Sequence, residues 1–325
     1  MTLSLVTGGA GFVGRHLVAA LKERGETVRV LDLVPVDGVD MIAGSVNDAD
    51  AAMRAAQGVD AIFHLAGNAE LWAPDGDAFD RVNHLGTRMM LEAARAAGVR
   101  RFVHCSSLTT LVGAGTPIGA STADEATRLT GEDMLGPYPR SKFLAERAVE
   151  TSGLDAVIAI PTEPLGAGDE NLTPPTRMIL GLLGGTIPAT IDCMLNFVDV
   201  KSLAEGIVAA RDRGRRGERY LLGGENVSMR RLLDTLERLG GARMPKARLP
   251  YGVALLAGLV DTAIVAKVTG KPPRAPLTGV RLAGRRVAFS SAKAETDLGW
   301  KSAPFEAALA EALDWFRAKG LAGPG

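Results

Sequence analysis

Leu3-Ser-Leu-Val-Thr-Gly-Gly-Ala-Gly-Phe-Val-Gly14 decides how this chain folds. A short apolar run ends in a cluster of glycines, and an amphipathic stretch over residues 12–23 follows at once. That order reads as a strand, a tight turn and a helix, with Gly9, Gly11 and Gly14 in G-x-G-x-x-G spacing and Gly8 opening the turn. Glycine is needed where a turn is tight and where backbone N–H groups must approach another group closely. A helix that opens at Phe12 and Val13 aims its positive end and its unpaired N–H groups at the turn. Such a turn is a cradle for a pyrophosphate.

Outward from this turn the alternation repeats. Residues 28–32, 61–64, 102–105 and 155–160 read as further strands, and 48–56, 77–97 and 138–151 carry apolar residues at helical spacing. Repetition of strand, helix and strand predicts an α/β fold, a doubly wound parallel sheet covered on both faces, the Rossmann architecture. Its ligands lie at the carboxyl ends of the strands. After Pro161 the composition changes to Pro/Gly-rich loops through residue 188, then to shorter elements that end in an amphipathic helix over 305–319. The reading is therefore a dinucleotide-binding unit over 1–160 and a mainly substrate-binding, smaller C-terminal lobe over 161–325. The chain is free to return to the sheet near 195–222.

Composition removes several alternatives. Lysine plus arginine and aspartate plus glutamate both number 37, so no basic excess exists to neutralise a nucleic acid. An apolar fraction of 46% against 23% charged residues fits a globular protein and not a disordered one. The two cysteines, Cys105 and Cys193, form neither a disulfide framework nor a metal pattern. The first residues lack the basic region and long apolar core of a signal peptide, which leads to the expectation of a cytoplasmic protein. The most membrane-like stretch, 253–268, is interrupted by Asp261, Thr262 and Lys267, falls short of a membrane span and reads as a buried helix, with docking on a membrane surface as the lesser alternative.

Three features carry chemistry. Asp32 ends the second strand, placed to accept hydrogen bonds from ribose hydroxyls, and a 2′-phosphate there would meet like charge. No arginine follows Asp32, so NAD is favoured over NADP, with Arg15 at the helix start as the one cation that could offset this. Tyr138 and Lys142 stand four apart, on one face of a helix, where the lysine cation would favour the phenolate. Ser106-Ser107 close the strand 102–105, so a hydroxyl points into the same crevice. By contrast His64 and His104 lack metal-ligand spacing and read as structural, and no metal is expected. Cys105 reads as packing, and Trp72 suits either a substrate contact or the core.

Taken together these residues resemble the extended short-chain dehydrogenase/reductase family over nearly the whole chain. Gly8 to Gly14, Asp32, His64-Leu-Ala66, Asn83 in Val-Asn-His-Leu-Gly-Thr87, Ser107, Tyr138, Lys142 and the late Leu298-Gly-Trp300 occur in the family's order. Leu71-Trp-Ala-Pro-Asp75, Asn196-Phe-Val-Asp199, Gly223-Gly-Glu-Asn226 and Phe289-Ser-Ser-Ala-Lys-Ala294 are similar to the hopanoid-associated, dihydroflavonol-reductase-like branch of this epimerase/dehydratase superfamily. The resemblance implies Tyr138 as general acid/base, Ser107 as partner of the reacting oxygen, and Lys142 as binder of the nicotinamide ribose and tuner of Tyr138. It implies that Asn83 orients a helix or a water in the proton path. Gly8, Gly11, Phe12, Val13, Gly14 and Asp32, with Ser45 and Val46 on the adenine side, would hold the cofactor. Leu65, Ala66, Gly67 and Pro161 would flank the nicotinamide. Asn68, Trp72, Thr109, Leu165 and Leu195 would face the substrate.

Departures from the family pattern shape the expected substrate. Gly44-Ser-Val46 lacks the usual aspartate, so the adenine contact falls to backbone; Leu65-Ala-Gly67 replaces Leu-Ala-Ala and leaves room beside the nicotinamide. Asn68-Ala-Glu70 replaces the Asp-Tyr-Arg common in the nearest branch. Leu108 and Thr109 follow Ser107 where the sugar-nucleotide dehydratases carry Asp-Glu, and Leu195 stands where the epimerases carry an arginine on the diphosphate. The expectation is an NAD(H)-dependent oxidoreductase that interconverts a secondary alcohol and a ketone on a compact, largely apolar small molecule. The alternatives are a sugar epimerase with tightly held cofactor and a non-catalytic dinucleotide sensor. The resemblance also implies a homodimer built from the helices 77–97 and 138–151.

Overall fold

The computed structural model describes residues 2–322. In chain order come the principal strands β1 (Leu3–Thr7), β2 (Thr27–Asp32), β3 (Asp40–Ala43), β4 (Ala61–His64), β5 (Arg101–Cys105), β6 (Ala156–Pro161), β7 (Glu163–Leu165), β8 (Met194–Asp199), β9 (Arg219–Leu222) and β10 (Glu225–Ser228). Seven of them form one sheet in the order β9-β6-β5-β4-β1-β2-β3, every neighbouring pair parallel. The order reverses between β1 and β4, which opens a crevice at their carboxyl ends. The fold is thus the α/β, doubly wound Rossmann type that the alternation predicts.

Parallel strands need crossover helices, so both faces of the sheet are covered and its strands are apolar on both sides. Neighbours Leu5 and Val6 on β1 enter separate cores because successive side chains point to opposite faces. Leu5 packs with Ile62, Met90 and Phe102, under α2 (Ala49–Ala56), α3 (77–96) and α4 (Pro137–Glu150). Val6 packs with Leu17 of α1 (Phe12–Glu23) and Leu203 and Ile207 of α6 (Val200–Arg213). The helix α3 is assembled from Asp77–Phe79, Asp80–Leu85 and Gly86–Ala96, and its middle segment is a π turn.

After β6 the chain builds a second sheet, β10-β8-β7, with β8 antiparallel to β10 and parallel to β7. Of the two segments open to return near 195–222, residues 219–222 join the main sheet as β9, and 194–199 join the second sheet as β8. Helices α5 (Pro174–Leu183), α7 (Met229–Gly240) and α10 (Phe305–Ala318) close a third core around Phe197, Leu232 and Phe305. The edge strand β3 carries no readable alternation and was not expected from the pattern.

The stretch 253–268 corrects its expectation. It forms a helix, α8 (Tyr251–Thr269), but that helix is not buried: Leu256, Ile264 and Val268 are all exposed. Small residues, Ala254, Gly258 and Ala266, face inward and let α8 lie close to α9 (Leu277–Ala283). A run that is apolar all round cannot tell which face turns inward.

At the centre of the sheet, His64 on β4 lies beside His104 on β5, the rings stacked at 5.6 Å. Burial, and next the Lys142 cation, lower the His64 pKa from 6.5 to about 3, and burial likewise holds His104 neutral. In the unfolded chain His64 gains a proton as the pH falls through 6.5; in the folded chain it stays neutral until about 3. The unfolded state therefore binds more protons in that window, and stability falls as the pH drops. His64→Asn removes the titration, so its urea-unfolding free energy should fall less steeply than the parent's between pH 7 and pH 5. An equally steep fall in both would contradict this account.

Candidate active site

The glycine turn is tight enough to exclude any side chain. Gly8 has φ +74°, and a Cβ there would stand 2.7 Å from the Ala66 nitrogen; a Cβ on Gly14 would stand 2.0 Å from the Gly8 oxygen. The Gly11 N–H donates to the Gly8 carbonyl at 3.1 Å, which folds the turn back on itself. No side chain caps α1 and its first turn holds no acid, so the N–H groups of Phe12, Val13 and Gly14 face outward at a positive helix end. The carboxylate of Asp32 accepts from the Ala10 N–H at 2.9 Å and the Val34 N–H at 3.0 Å, fixing it at the mouth of the same turn. Arg15 donates through Nε to the Ala10 carbonyl at 2.8 Å and so holds the turn itself. Val46 is buried against Gly86, and the Ser45 hydroxyl accepts from the Asn47 N–H at 3.1 Å. An anion cradle at a helix N-terminus with an acid fixed at its mouth fits a nicotinamide dinucleotide.

Across the switch point, the loop after β4 is tied down by a chain of buried polar groups. The Leu65 N–H donates to the Thr7 carbonyl and the Ala66 N–H to the Thr7 hydroxyl, both at 3.1 Å. Thr7 Oγ1 lies 2.8 Å from His64 Nδ1, and His64 Nε2 lies 3.0 Å from Thr87 Oγ1. Thr87 donates its own proton to the Asn83 carbonyl at 2.6 Å, so His64 donates from Nε2 and accepts at Nδ1. Asn83, in the π turn, accepts from the Asn68 N–H at 2.7 Å and donates to the Asn68 carbonyl at 3.0 Å and to Ser141 Oγ at 2.9 Å. Ser141 donates in turn to the Tyr138 carbonyl at 2.8 Å. Gly67 has a different purpose from the one expected: the place of its missing Cβ lies 2.9 Å from Asn83 Oδ1, so the glycine admits Asn83 and leaves no free room there.

Ser107, Tyr138 and Lys142 meet at the carboxyl end of β5, all buried. The Ser107 hydroxyl accepts from Thr109 Oγ1 at 3.1 Å and from the Thr109 N–H at 3.3 Å, which leaves its own proton for the Tyr138 oxygen. Burial pushes the Tyr138 phenol up to about 12, against the opposing pull of its hydrogen bond with Ser107. Lys142, its pKa lowered by burial, donates from Nζ to the Cys105 carbonyl at 2.5 Å. The expected depression of Tyr138 by this cation is therefore not found: Lys142 is turned to the strand end, and Tyr138 is held as the neutral phenol. Phe79 packs on the Tyr138 ring with centroids 6.0 Å apart.

The remaining site residues divide. Pro161 ends β6 opposite Leu222, at the same sheet edge. Asn68 is the residue clamped by Asn83, Thr109 is buried behind Ser107, and Trp72 is half-buried in the loop that precedes α3. Leu165 and Leu195 correct their expectation as substrate contacts, because both are buried in the core of the C-terminal lobe with Phe197. Sequence reasoning missed Thr7, Thr87 and Ser141. The spacing of Asn83 and Thr87, four apart on one helix face, was the available signal. It also missed Glu146, a buried carboxylate that accepts from the Ser106 and Thr110 hydroxyls and pairs with Arg219 at 3.3 Å. A fifth omission is Glu70, which pairs with Arg177 of α5 and so bridges the crevice.

The comparisons agree with this geometry. The profile of the NAD dependent epimerase/dehydratase family matches residues 4–223. A putative dihydroflavonol 4-reductase of Synechocystis sp. is 35% identical over 97% of this chain and 94% of its own length. Sterol demethylase protein B of Methylococcus capsulatus is 32% identical over 98% of this chain and 99% of its own length. The crystal structure of gox2253 superposes with a TM-score of 0.85 at 32% identity, covering 99% of this chain and all of that one. The chain belongs to the NAD-dependent epimerase/dehydratase family and is an enzyme of the extended short-chain dehydrogenase/reductase type.

Proposed function

We propose that this enzyme interconverts a secondary alcohol and a ketone on a compact, largely apolar substrate with NAD(H) as cofactor. The observation that carries the reading is the Ser107–Tyr138 hydroxyl pair, buried at the sheet's carboxyl edge with Lys142 one helical turn away. A bound nicotinamide would supply or accept the hydride. Tyr138, held protonated by burial, donates a proton to the carbonyl oxygen in reduction and takes it back in oxidation. Ser107, its lone pairs engaged by Thr109, has a proton to offer the oxygen as charge develops. Lys142 binds the nicotinamide ribose, and Asp32 accepts from the adenosine ribose hydroxyls and repels a 2′-phosphate. On this reading residues 1–160 and β9 hold the cofactor, and the rest of 161–325 closes over the substrate. The family likeness further supports a homodimer through α3 and α4, and a cytosolic setting accords with two free cysteines.

The apolar substrate is supported by two features of the lobe. Leu195 is folded into the lobe's core and presents no cation to a diphosphate, and Arg177 is engaged by Glu70 and by the Leu172 carbonyl at 2.7 Å. Neither offers the charge-assisted, bidentate contact that phosphate recognition uses.

Three measurements test this. Tyr138→Phe should keep the fold and NAD binding while turnover falls by roughly 10²–10⁴-fold, the usual loss for a general acid/base; near-parental turnover would refute the assignment. In cofactor titrations the parent should bind NADH more tightly than NADPH, and Asp32→Asn should narrow the difference; equal affinities in the parent would count against Asp32. Calorimetry with UDP-glucose in the presence of NAD should give no binding at micromolar concentration. Micromolar binding, with substrate epimerised and no net NADH formed, would replace the oxidoreductase with an epimerase.

A further inference from the structure

The helix α8 is built inside out for a water-exposed surface. A surface helix normally turns apolar residues to the protein and polar ones to solvent. On α8, Leu256 is 62%, Ile264 57% and Val268 81% exposed, and Val253, Leu259 and Val260 are exposed beside them. The two polar residues at its middle, Asp261 and Thr262, face the protein instead. Asp261 accepts from the Ala275 N–H at 2.9 Å and Thr262 from the Leu277 N–H at 2.9 Å. Gly258 lies so close to the chain beneath that a Cβ would stand 3.1 Å from the Ala275 carbonyl oxygen. Large aliphatic side chains in a continuous exposed patch mark a surface that something apolar covers.

Charge identifies the covering surface. Arg243, Lys246 and Arg248 precede α8, and Lys267, Lys271 and Arg274 lie at its end and beyond; all six are exposed. None is paired with a carboxylate among the described residues, and from 243 to 274 the only acid is the inward-facing Asp261. The chain as a whole has no net charge, so this excess is local. An apolar face flanked by basic residues matches the acyl boundary and headgroups of an anionic bilayer. A second copy of the chain suits it poorly, because a two-fold contact would bring the basic flanks of both copies together.

We propose that α8 docks this protein on the surface of an anionic lipid bilayer, lying in the interface without crossing it. By length and composition α8 could cross a membrane. Its inner face, however, is fixed along its length to the 275–277 segment and α9, so one side only is available to lipid. Between α8 and the site stands α9: Thr278 fills the space beside Gly136, two residues before Tyr138, and Gly279 lies against Leu71. Docking would therefore set the substrate side of the crevice toward the bilayer, where an apolar substrate is concentrated. That last step rests on the proposed function; the docking itself does not.

Flotation of the full-length protein, without substrate or cofactor, is the test. The parent should float with phosphatidylcholine vesicles containing phosphatidylglycerol, and at least about tenfold less with phosphatidylcholine alone or in about 1 M salt, where screening is nearly complete. Leu256→Glu/Ile264→Glu, at exposed positions, should lose that partition by a similar factor while keeping the parental melting temperature and NADH binding. Lys271→Gln/Arg274→Gln should lower partition to anionic vesicles and leave the weak neutral partition unchanged. Absence of the parent from the anionic vesicle fraction, or equal flotation of Leu256→Glu/Ile264→Glu, would overturn the proposal. So would a parental dimer that Leu256→Glu/Ile264→Glu converts to monomer with vesicle binding unchanged, since α8 would then be covered by a second copy. NADH-linked turnover of a water-soluble ketone, measured without vesicles, fails separately if the oxidoreductase reading is wrong.

Discussion

The carboxamide of Asn83 holds the two sides of the crevice in register. Its oxygen takes the Asn68 N–H, and its amino group serves both the Asn68 carbonyl and Ser141. The loop after β4 and the helix that carries Tyr138 are thus joined through one buried side chain. The polar chain behind it, from Thr7 through His64 and Thr87, reaches back to the glycine turn. A buried donor or acceptor left without a partner costs about 1–3 kcal/mol, so these groups fit in one arrangement far better than in any other. Asn83 achieves this from a π turn, an inserted residue that re-aims side chains along an otherwise α-helical segment.

Beneath the hydroxyl pair lies a second polar set of opposite character. Glu146 is fully enclosed, yet Ser106, Thr110 and Arg219 surround its carboxylate. This charge stands on α4, one helical turn beyond Lys142, whose own ammonium is turned to the Cys105 carbonyl. Buried charges are tolerated when paired and hydrogen-bonded, and here the pairing fixes α4 against the ends of β5 and β9. On the far side of the crevice Glu163 has, among the described residues, only the Asn196 N–H as partner, at 3.0 Å, and burial raises its pKa to about 8. Near neutral pH it is mostly the uncharged acid, so the β7 side of the lobe does not add a negative charge to an apolar environment.

How much of this was legible in the sequence depends on the range of the physics involved. The glycine turn was legible because much of its constraint is local: Gly8 has a positive φ, and a Cβ on Gly14 would meet the carbonyl of Gly8 itself. Asp32, Ser107, Tyr138 and Lys142 were legible because strand ends and i, i+4 spacing fix where a side chain emerges. Long-range partners were not. Strand pattern gave β8 as a strand but not its membership of the second sheet, because alternation does not encode the neighbour. Periodicity over 77–97 gave one helix and missed the π turn, since one inserted residue barely shifts an apolar stripe. Gly67 was misread for the same reason: what occupies the space beside a glycine is decided by a residue distant in sequence, here Asn83.

The C-terminal lobe and the hydroxyl pair at the sheet edge are held by separate sets of contacts. Ser107, Tyr138 and Lys142 are held by the sheet, by α4 and by groups that touch no part of the lobe's core. The lobe contributes a different set of constraints. Leu165 and Leu195 are folded into its core, and Arg177 is drawn across the crevice to Glu70, an ion pair between half-exposed side chains. Such a pair adds little stability, typically 0–1 kcal/mol. Its larger effect is on charge: it sets the Glu70 carboxylate against the Arg177 guanidinium beside the loop that carries Asn68 and Trp72. The lobe thus combines an apolar core, an arginine paired across the crevice and a buried Glu163 whose uncharged form burial favours.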